Sequence, residues 1–323
     1  MKTKLAIFDV DGTLYNGTLA IPFLTYLIKN NIFNKTIGEQ IFDWHTKYKS
    51  GVVDKSIAVD EMYKLYLKGI SGKNYIDIQN IAQIVWDSQK SNLFSFVPQL
   101  FKKIRNDNYK IIILTGGISE MASLLSDSLG VSRDCLISGQ PEIINGKYNG
   151  EILSYPGSPQ QKVDALNELI NKQQITIDWI QSIGMGDDER DEEFLKLVGH
   201  PIAINPSSKL SKTAKKYNWT IVTEKNIFSL LDTPRGYGVN CSNYMKSPQD
   251  RLSIIIGQLN GIKKMMDKNE DCIKLITQLR ASRSGIESVI DTIIADKFDT
   301  CMKDLKSSDK KLLINIKKYV TNN

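Results

Sequence analysis

Phe8-Asp9-Val10-Asp11-Gly12-Thr13-Leu14 is the stretch on which the fold turns. It follows the apolar run Leu5-Ala6-Ile7-Phe8, which reads as a short buried strand. Side chains alternate along a strand, so Asp9 and Asp11 point the same way at its C-terminal end. Gly12 and Thr13 let the chain turn sharply and leave backbone N–H groups free. Two aligned carboxylates beside free amides suit a hard cation and a phosphate.

Working outward, residues 1–235 alternate between strand and helix patterns. Strands are expected at Leu5–Phe8, Lys110–Leu114, Cys135–Ser138, Ser182–Met185, Pro201–Ile204 and Thr220–Val222. Helical stretches lie between most of them, which argues for an α/β fold with a Rossmann-like parallel sheet and helical crossovers. Residues 15–96 break the alternation. They are rich in helix formers and aromatics and read as a helical cap inserted after the first strand. Asn145-Gly146-Lys147-Tyr148-Asn149-Gly150 reads as a hairpin turn.

Three further patches complete the first pair of carboxylates. Thr115-Gly116-Gly117 follows the strand Ile111–Leu114 and offers a hydroxyl and an amide to phosphate oxygens. Lys162 opens a helix after Pro156-Gly157-Ser158-Pro159 and brings one ammonium to offset charge. Gly186-Asp187-Asp188-Glu189-Arg190-Asp191 follows another strand as an acidic loop suited to closing a Mg²⁺ shell. Strand ends on one edge of a parallel sheet converge on a single site.

This ordered series resembles the haloacid-dehalogenase superfamily, in its phosphoserine-phosphatase-like branch, over about residues 3–230. The closing stretch His200-Pro201-Ile202-Ala203-Ile204-Asn205-Pro206 is part of the resemblance. It implies a phosphatase in which Asp9 is the nucleophile and forms an aspartyl-phosphate. Asp11 then protonates the leaving oxygen and activates water, Thr115 and the Gly116 amide bind phosphate, and Lys162 offsets charge. The implied Mg²⁺ ligands come from Asp9, the Val10 carbonyl, Asp11 and Asp187, with Asp191 close behind. Where the family's common loop is Gly-Asp-Gly-x-Asn-Asp, this chain has Asp188 and Arg190 at the second Gly and the Asn. Asn16-Gly17-Thr18 stands where phosphoserine phosphatases carry an early glutamate for the substrate amine. The expected substrate is therefore a small phosphorylated metabolite other than phosphoserine.

Thr233-Pro234-Arg235-Gly236-Tyr237-Gly238 is a cluster of chain breakers, and 232–247 reads as a linker that ends the first domain at about residue 231. Beyond it the pattern is purely helical. Leu252, Ile255, Leu259, Ile262 and Met266 form a narrow heptad seam. A second helix is expected over about 272–297, with Leu275, Leu279, Ile286, Val289 and Ile293 on one face, and a third from about Ser308. Three helices in so short a span bury little surface alone, so this all-α domain, 248–323, is expected to associate with copies of itself. From Lys246 onward there are 15 Lys/Arg against 10 Asp/Glu, whereas residues 1–245 are nearly balanced at 27 against 26. The basic excess thus sits in the tail, where it marks either a polyanion partner or a Lys-rich solvated surface.

The tail's own motifs are Gly257-Gln258-Leu259-Asn260-Gly261-Ile262, Met265-Met266, Asp271-Cys272-Ile273 and Gln278-Leu279-Arg280-Ala281. They resemble the copper-sensing and formaldehyde-sensing repressors of the CsoR/FrmR family over about residues 247–321. That resemblance implies a homodimer or homotetramer, operator DNA as a partner, and release when its thiols react. If 272–297 is one helix, Cys272 and Cys301 lie roughly 40 Å apart in one chain, so they meet only across an antiparallel dimer. Lys297 stands where the copper sensors have a histidine, and the tail contains none. A dithiol sensor is therefore expected rather than a copper site, with two structural cysteines as the alternative. Arg251, Lys263, Lys264, Arg280 and Arg283 are the expected DNA-phosphate contacts.

Bulk properties narrow the class further. Four cysteines in 323 residues make no disulfide framework, and with only two histidines and no C-x-x-C pair a classical zinc site is disfavoured. No stretch reaches the roughly 18 apolar residues of a membrane span. Met-Lys-Thr-Lys leads into a run that Asp9 interrupts at once, unlike a signal peptide, so a cytoplasmic protein is expected. Three functional readings stand. One is a Mg²⁺-dependent phosphatase fused to a thiol-sensing, oligomerising and DNA-binding domain. The second is a repressor whose phosphatase-like body senses a ligand. The third is a phosphatase whose tail only assembles it.

Overall fold

Every residue of the first strand, β1 (Leu5–Phe8), is fully buried. Leu5 and Ile7 face one side of the sheet and Ala6 and Phe8 the other, each side meeting its own apolar core. This explains why a central parallel strand reads as a continuous apolar run rather than an alternating one. The structure is a computed structural model describing residues 2–227, residues 248–267 and eleven positions between 271 and 290. The chain divides into two compact units, Met1–Val239 and Asn240–Asn323.

In the first unit the strands after β1 are β2 (Lys110–Ile118), β3 (Leu136–Ile144), β4 (Lys147–Ser154), β5 (Ile183–Gly186), β6 (His200–Ile204) and β7 (Thr220–Val222). They form one sheet of order β4-β3-β2-β1-β5-β6-β7. All neighbours pair in parallel except β3 and β4. From β1 the chain builds outward through β2 and β3, then returns to the other side of β1 for β5. The C-terminal ends of β1, β2 and β5 therefore flank a switch in strand order, the place where such sheets hold ligands.

β5 and β6 each run one residue beyond the expected limits, and β2 and β3 run further. β2 continues through Thr115-Gly116-Gly117 to Ile118, and its register against β3 shifts between Leu114 and Ile118. The phosphate-type turn is thus an irregularity inside the strand and not a loop after it. β3 begins at Leu136 and extends to Ile144, because the hairpin with β4 prolongs it. Asn145 and Gly146, with φ of 51° and 76°, make that hairpin's tight turn.

The insertion between β1 and β2 is helical, as expected. It contains α1 (Ala20–Lys29), α2 (Lys35–Lys49), α3 (Lys55–Ile70) and α4 (Tyr75–Gln89). Asn34, Asp54 and Asn74 cap the last three, each side chain accepting the N–H two residues on. Phe23, Tyr66, Ile70 and Trp86 carry these helices into the core shared with Phe8 and Phe101. The remaining described α-helices of this unit are α5 (Val97–Asn106), α6 (Ser119–Ser128), α7 (Pro159–Lys172), α8 (Glu192–Leu197) and α9 (Ser208–Lys216).

In the second unit α10 runs from Pro248 to Asp267. The expected heptad seam divides along it. Ile255 and Ile262 are buried, while Leu252, Leu259 and Met266 are exposed. Helical residues recur between Cys272 and Ile290, with Val289 buried and Leu279 and Ile286 exposed. The expected linker at 232–247, Ile293 and the third helix lie outside the described residues.

Candidate active site

Asp9 continues the β1 ladder, its N–H donating to the Met185 carbonyl at 3.0 Å. Its carboxylate is buried and accepts from Lys162 Nζ at 2.7 Å. Lys162 also donates to Asp191 Oδ1 at 2.7 Å, so one buried ammonium ties two loops together. The sequence around it fixes that reach. Ser158 and Gln161 form a capping box at the start of α7, and Pro159 opens its first turn. Burial alone would lower the Lys162 pKa, but Asp191 and Asp9 more than offset it and hold the ammonium charged.

The loop after β5 is ordered from within. Asp191 Oδ2 accepts the N–H groups of Asp187 and Asp188 at 3.1 and 3.2 Å. Asp188 in turn accepts Arg190 N–H at 2.8 Å. Gly12, at φ 78°, passes so close that a Cβ there would lie 2.2 Å from Asp187 Oδ2. That approach is why the turn after Asp11 needs a glycine. One oxygen each from Asp9, Asp187 and Asp191 lie within 4.8 Å of one another.

These hard oxygen donors fit a divalent cation. Three carboxylates this close, Asp9 and Asp191 buried and Asp187 half-buried, resist joint ionisation unless positive charge stands between them. Asp187 is pushed up to about 9 and Asp191 to about 7, both from 3.8, first by burial and next by Asp9. A carboxylate whose folded pKa stands above its unfolded value stabilises the fold at low pH and loses that contribution as pH rises through the folded value. The metal-free protein is therefore expected to melt at lower temperature as pH climbs from 3.8 towards about 9. A divalent cation should restore stability, increasingly so at higher pH. Thermal unfolding in EDTA and in Mg²⁺ across this range checks it; a rescue that does not grow with pH contradicts it.

Two of the expected metal ligands are placed otherwise. The Val10 carbonyl accepts N–H groups of Thr13, Leu14 and Tyr15 at 3.2, 2.9 and 3.0 Å, so its lone pairs are spent inside the turn. Asp11 stands outside the three-carboxylate cluster and accepts Leu19 N–H at 2.8 Å through Oδ1. Burial raises its pKa, an effect the Leu19 amide only partly offsets, which suits a group that carries a proton. Asp191 belongs to the cluster, yet both its oxygens already accept from Lys162 and the loop amides.

Thr115, buried at the end of β2's regular part, accepts Gly117 N–H at 3.0 Å. Gly116 lies close under Pro156, whose carbonyl would stand 3.3 Å from a Cβ there. Thr115 and Gly116 line the same cavity as Asp9 and Asp11. A residue that sequence reasoning missed also reaches it. Lys55, at the start of α3, pairs with Asp188, to which Arg190 donates at 3.0 Å through Nη2. Burial would raise the Asp188 pKa, but Arg190 and Lys55 hold it below the usual carboxylate range. Nothing local marks Lys55 in a Lys-rich helical insertion.

Of the tail's expected site residues, Cys272, Lys263 and Arg283 are exposed. Arg251 and Lys264 lie on α10, and Arg280 and Cys301 fall outside the described residues. Among the described residues no helix is long and apolar enough to cross a membrane.

A doubly flanked parallel sheet with carboxylates, a lysine and a Thr-Gly turn gathered at its switch point defines a phosphatase of the α/β class. The chain belongs to the haloacid dehalogenase-like hydrolases, whose family model matches residues 6–196. Residues 245–321 match the model of the metal-sensitive transcriptional repressors. The histidinol-phosphatase of Neisseria meningitidis serogroup C (strain 8013) is 23% identical over 235 residues, covering 69% of this chain and 99% of that protein. The phosphoserine phosphatase of Saccharomyces cerevisiae is 26% identical over 211 residues, 65% of this chain but only 62% of its own length. Among solved structures, a protein of unknown function from Bordetella pertussis Tohama I shares the fold at a TM-score of 0.60 and 20% identity, over 69% of this chain and 100% of that one. A phospho-aspartyl intermediate analogue of phosphoserine phosphatase shares it at 0.50 and 16%, over 71% and 99%.

Proposed function

We propose that the first unit is a Mg²⁺-dependent phosphatase of a small phosphorylated metabolite. The observation that carries this is Lys162, buried and bonded at 2.7 Å to both Asp9 and Asp191, beside the Asp9–Asp187–Asp191 cluster. Asp9, with Lys162 at one oxygen, attacks phosphorus in line and the phosphoryl group passes to its carboxylate. Thr115 and the Gly116 amide hold the phosphoryl oxygens, and Lys162 offsets charge as the anionic nucleophile meets an anionic ester. Asp11 delivers its proton to the leaving oxygen and takes one back from the water that cleaves the aspartyl-phosphate. Mg²⁺ held by Asp9 and Asp187 supplies Lewis-acid polarisation and charge neutralisation. Inorganic phosphate release from a panel of phosphomonoesters, with Mg²⁺ and with EDTA, tests this reading. Turnover is expected with Mg²⁺ alone, and no release from any ester in Mg²⁺ overturns it.

The second unit is proposed to assemble copies of the chain and to bind DNA under thiol control, in the cytoplasm. Supporting this are the repressor-model match, the row Leu252, Leu259 and Met266 left exposed on α10, and the accessible Cys272. Binding to DNA fragments is expected to weaken steeply with salt and to fall when Cys272 and Cys301 are bridged. A gel shift showing no complex at low salt removes the DNA partner and leaves an assembly domain. The rival reading, a repressor with a ligand-sensing body, is favoured if DNA binds while every ester is left intact.

A further inference from the structure

The cavity over Asp9 and Asp11 has two unlike ends. At the phosphoryl end stand Thr115 and Gly116 with the cations Lys55 and Arg190. The cap supplies apolar lining from Ile21 and Leu24 of α1 and Val59 and Met62 of α3, with Ile118 of β2. Tyr48, Tyr63 and Tyr66 complete this wall. Burial keeps the phenols of Tyr63 and Tyr66 protonated, with Glu120 adding to the effect. His45 also lines the wall, and burial together with Lys49 lowers its pKa, so it is neutral at neutral pH.

Charge around the cavity is already committed. Lys55 and Arg190 both pair with Asp188, and both also act electrostatically on Asp11. Both cations thus stand beside the carboxylates at the phosphoryl end of the cavity. Among the described residues, the carboxylates on the cavity wall are Asp9 and Asp11, both assigned to the reaction. The nearby acids Asp60 and Glu120 accept from Tyr155 and Tyr148 at 2.9 and 2.7 Å and are not on the wall. A charged group on the leaving alcohol would therefore lose its water against apolar side chains and neutral phenols, with no free counter-charge among the described residues.

We infer that the leaving group is an uncharged, largely apolar alcohol, and that Lys55, set in place by Asp188, serves the phosphoryl group and not a charge on the leaving group. This rests on the phosphatase reading above and gives it a substrate class. It also separates the chain from the relatives named for phosphoserine, whose leaving group is zwitterionic.

The test is kcat/KM of the full chain with Mg²⁺ on benzyl phosphate, O-phosphoserine and O-phosphoethanolamine. Benzyl phosphate is expected to lead by roughly tenfold or more, since an unpaired buried charge costs more than an unpaired neutral polar group. An equal or higher value for either charged ester overturns the inference while leaving the phosphatase reading intact. Failure to hydrolyse any ester overturns that reading and the inference with it. In the same assay Lys55→Met is expected to lower kcat/KM by one common factor for every ester, and Lys55→Arg to recover most of it. A loss confined to O-phosphoserine would show that Lys55 grips a leaving-group carboxylate and would overturn the assignment.

Discussion

Asp9→Asn is expected to abolish phosphate release, by on the order of 10⁴-fold or more, without unfolding the protein. The amide keeps the side chain's shape but cannot form the acyl-phosphate bond. Stability should not fall in EDTA. Burial holds the Asp9 carboxyl above its ordinary pKa even with Lys162 beside it, so its charge is a strain on the metal-free fold. Lys162 retains its 2.7 Å bond to Asp191 in the variant. The carboxylate pressure that raises Asp187 and Asp191 also falls, since Asp9 is the first charged contributor to both. Phosphate release and thermal melting on the same preparation check both halves. Full turnover in the variant would sink the covalent mechanism.

Lys162→Met should act in the opposite sense on stability. Lys162 is 2% exposed and is the shared partner of two buried carboxylates. Removing it strands that charge, at a cost of about 3–5 kcal/mol for a broken buried pair. Mg²⁺ should recover part of the loss by bringing positive charge to Asp9. Turnover should drop by on the order of 10²–10³ even in saturating Mg²⁺, the range for losing one preorganised electrostatic contact. Chemical denaturation in EDTA and in Mg²⁺, paired with phosphate release, separates the two effects. An unchanged midpoint in EDTA would mean that Asp9 and Asp191 do not depend on this ammonium.

Much of this was legible in the residues because it is local. The strand Leu5–Phe8 and the hairpin at Asn145-Gly146 sit where the chain's own pattern puts them. The order of strand, carboxylate pair, Thr-Gly, Lys and acidic loop is enough to gather them at one sheet edge, since parallel topology aligns strand ends. What escaped depends on contacts far apart in sequence. Lys55 meets Asp188 across 133 positions, and no spacing rule links a cap helix to that loop. The Val10 carbonyl entered as a ligand through the family resemblance, and the three N–H groups it accepts follow from the backbone path and not from residue type. Likewise the seam on α10 is one stripe by spacing, yet its two rows differ because the chain covers only Ile255 and Ile262.

The central position of β1 sets a timetable for synthesis. Its partners are β2, which begins about 100 residues later, and β5, which begins about 175 residues later. At roughly 5–20 residues per second, Leu5–Phe8 waits on the order of 10–35 s after leaving the ribosome before both its edges can be paired. For that interval an uncharged, hydrogen-bond-hungry segment hangs from a growing chain. Chaperone holding during translation, or early shelter by the cap helices made directly after it, is what such a delay demands.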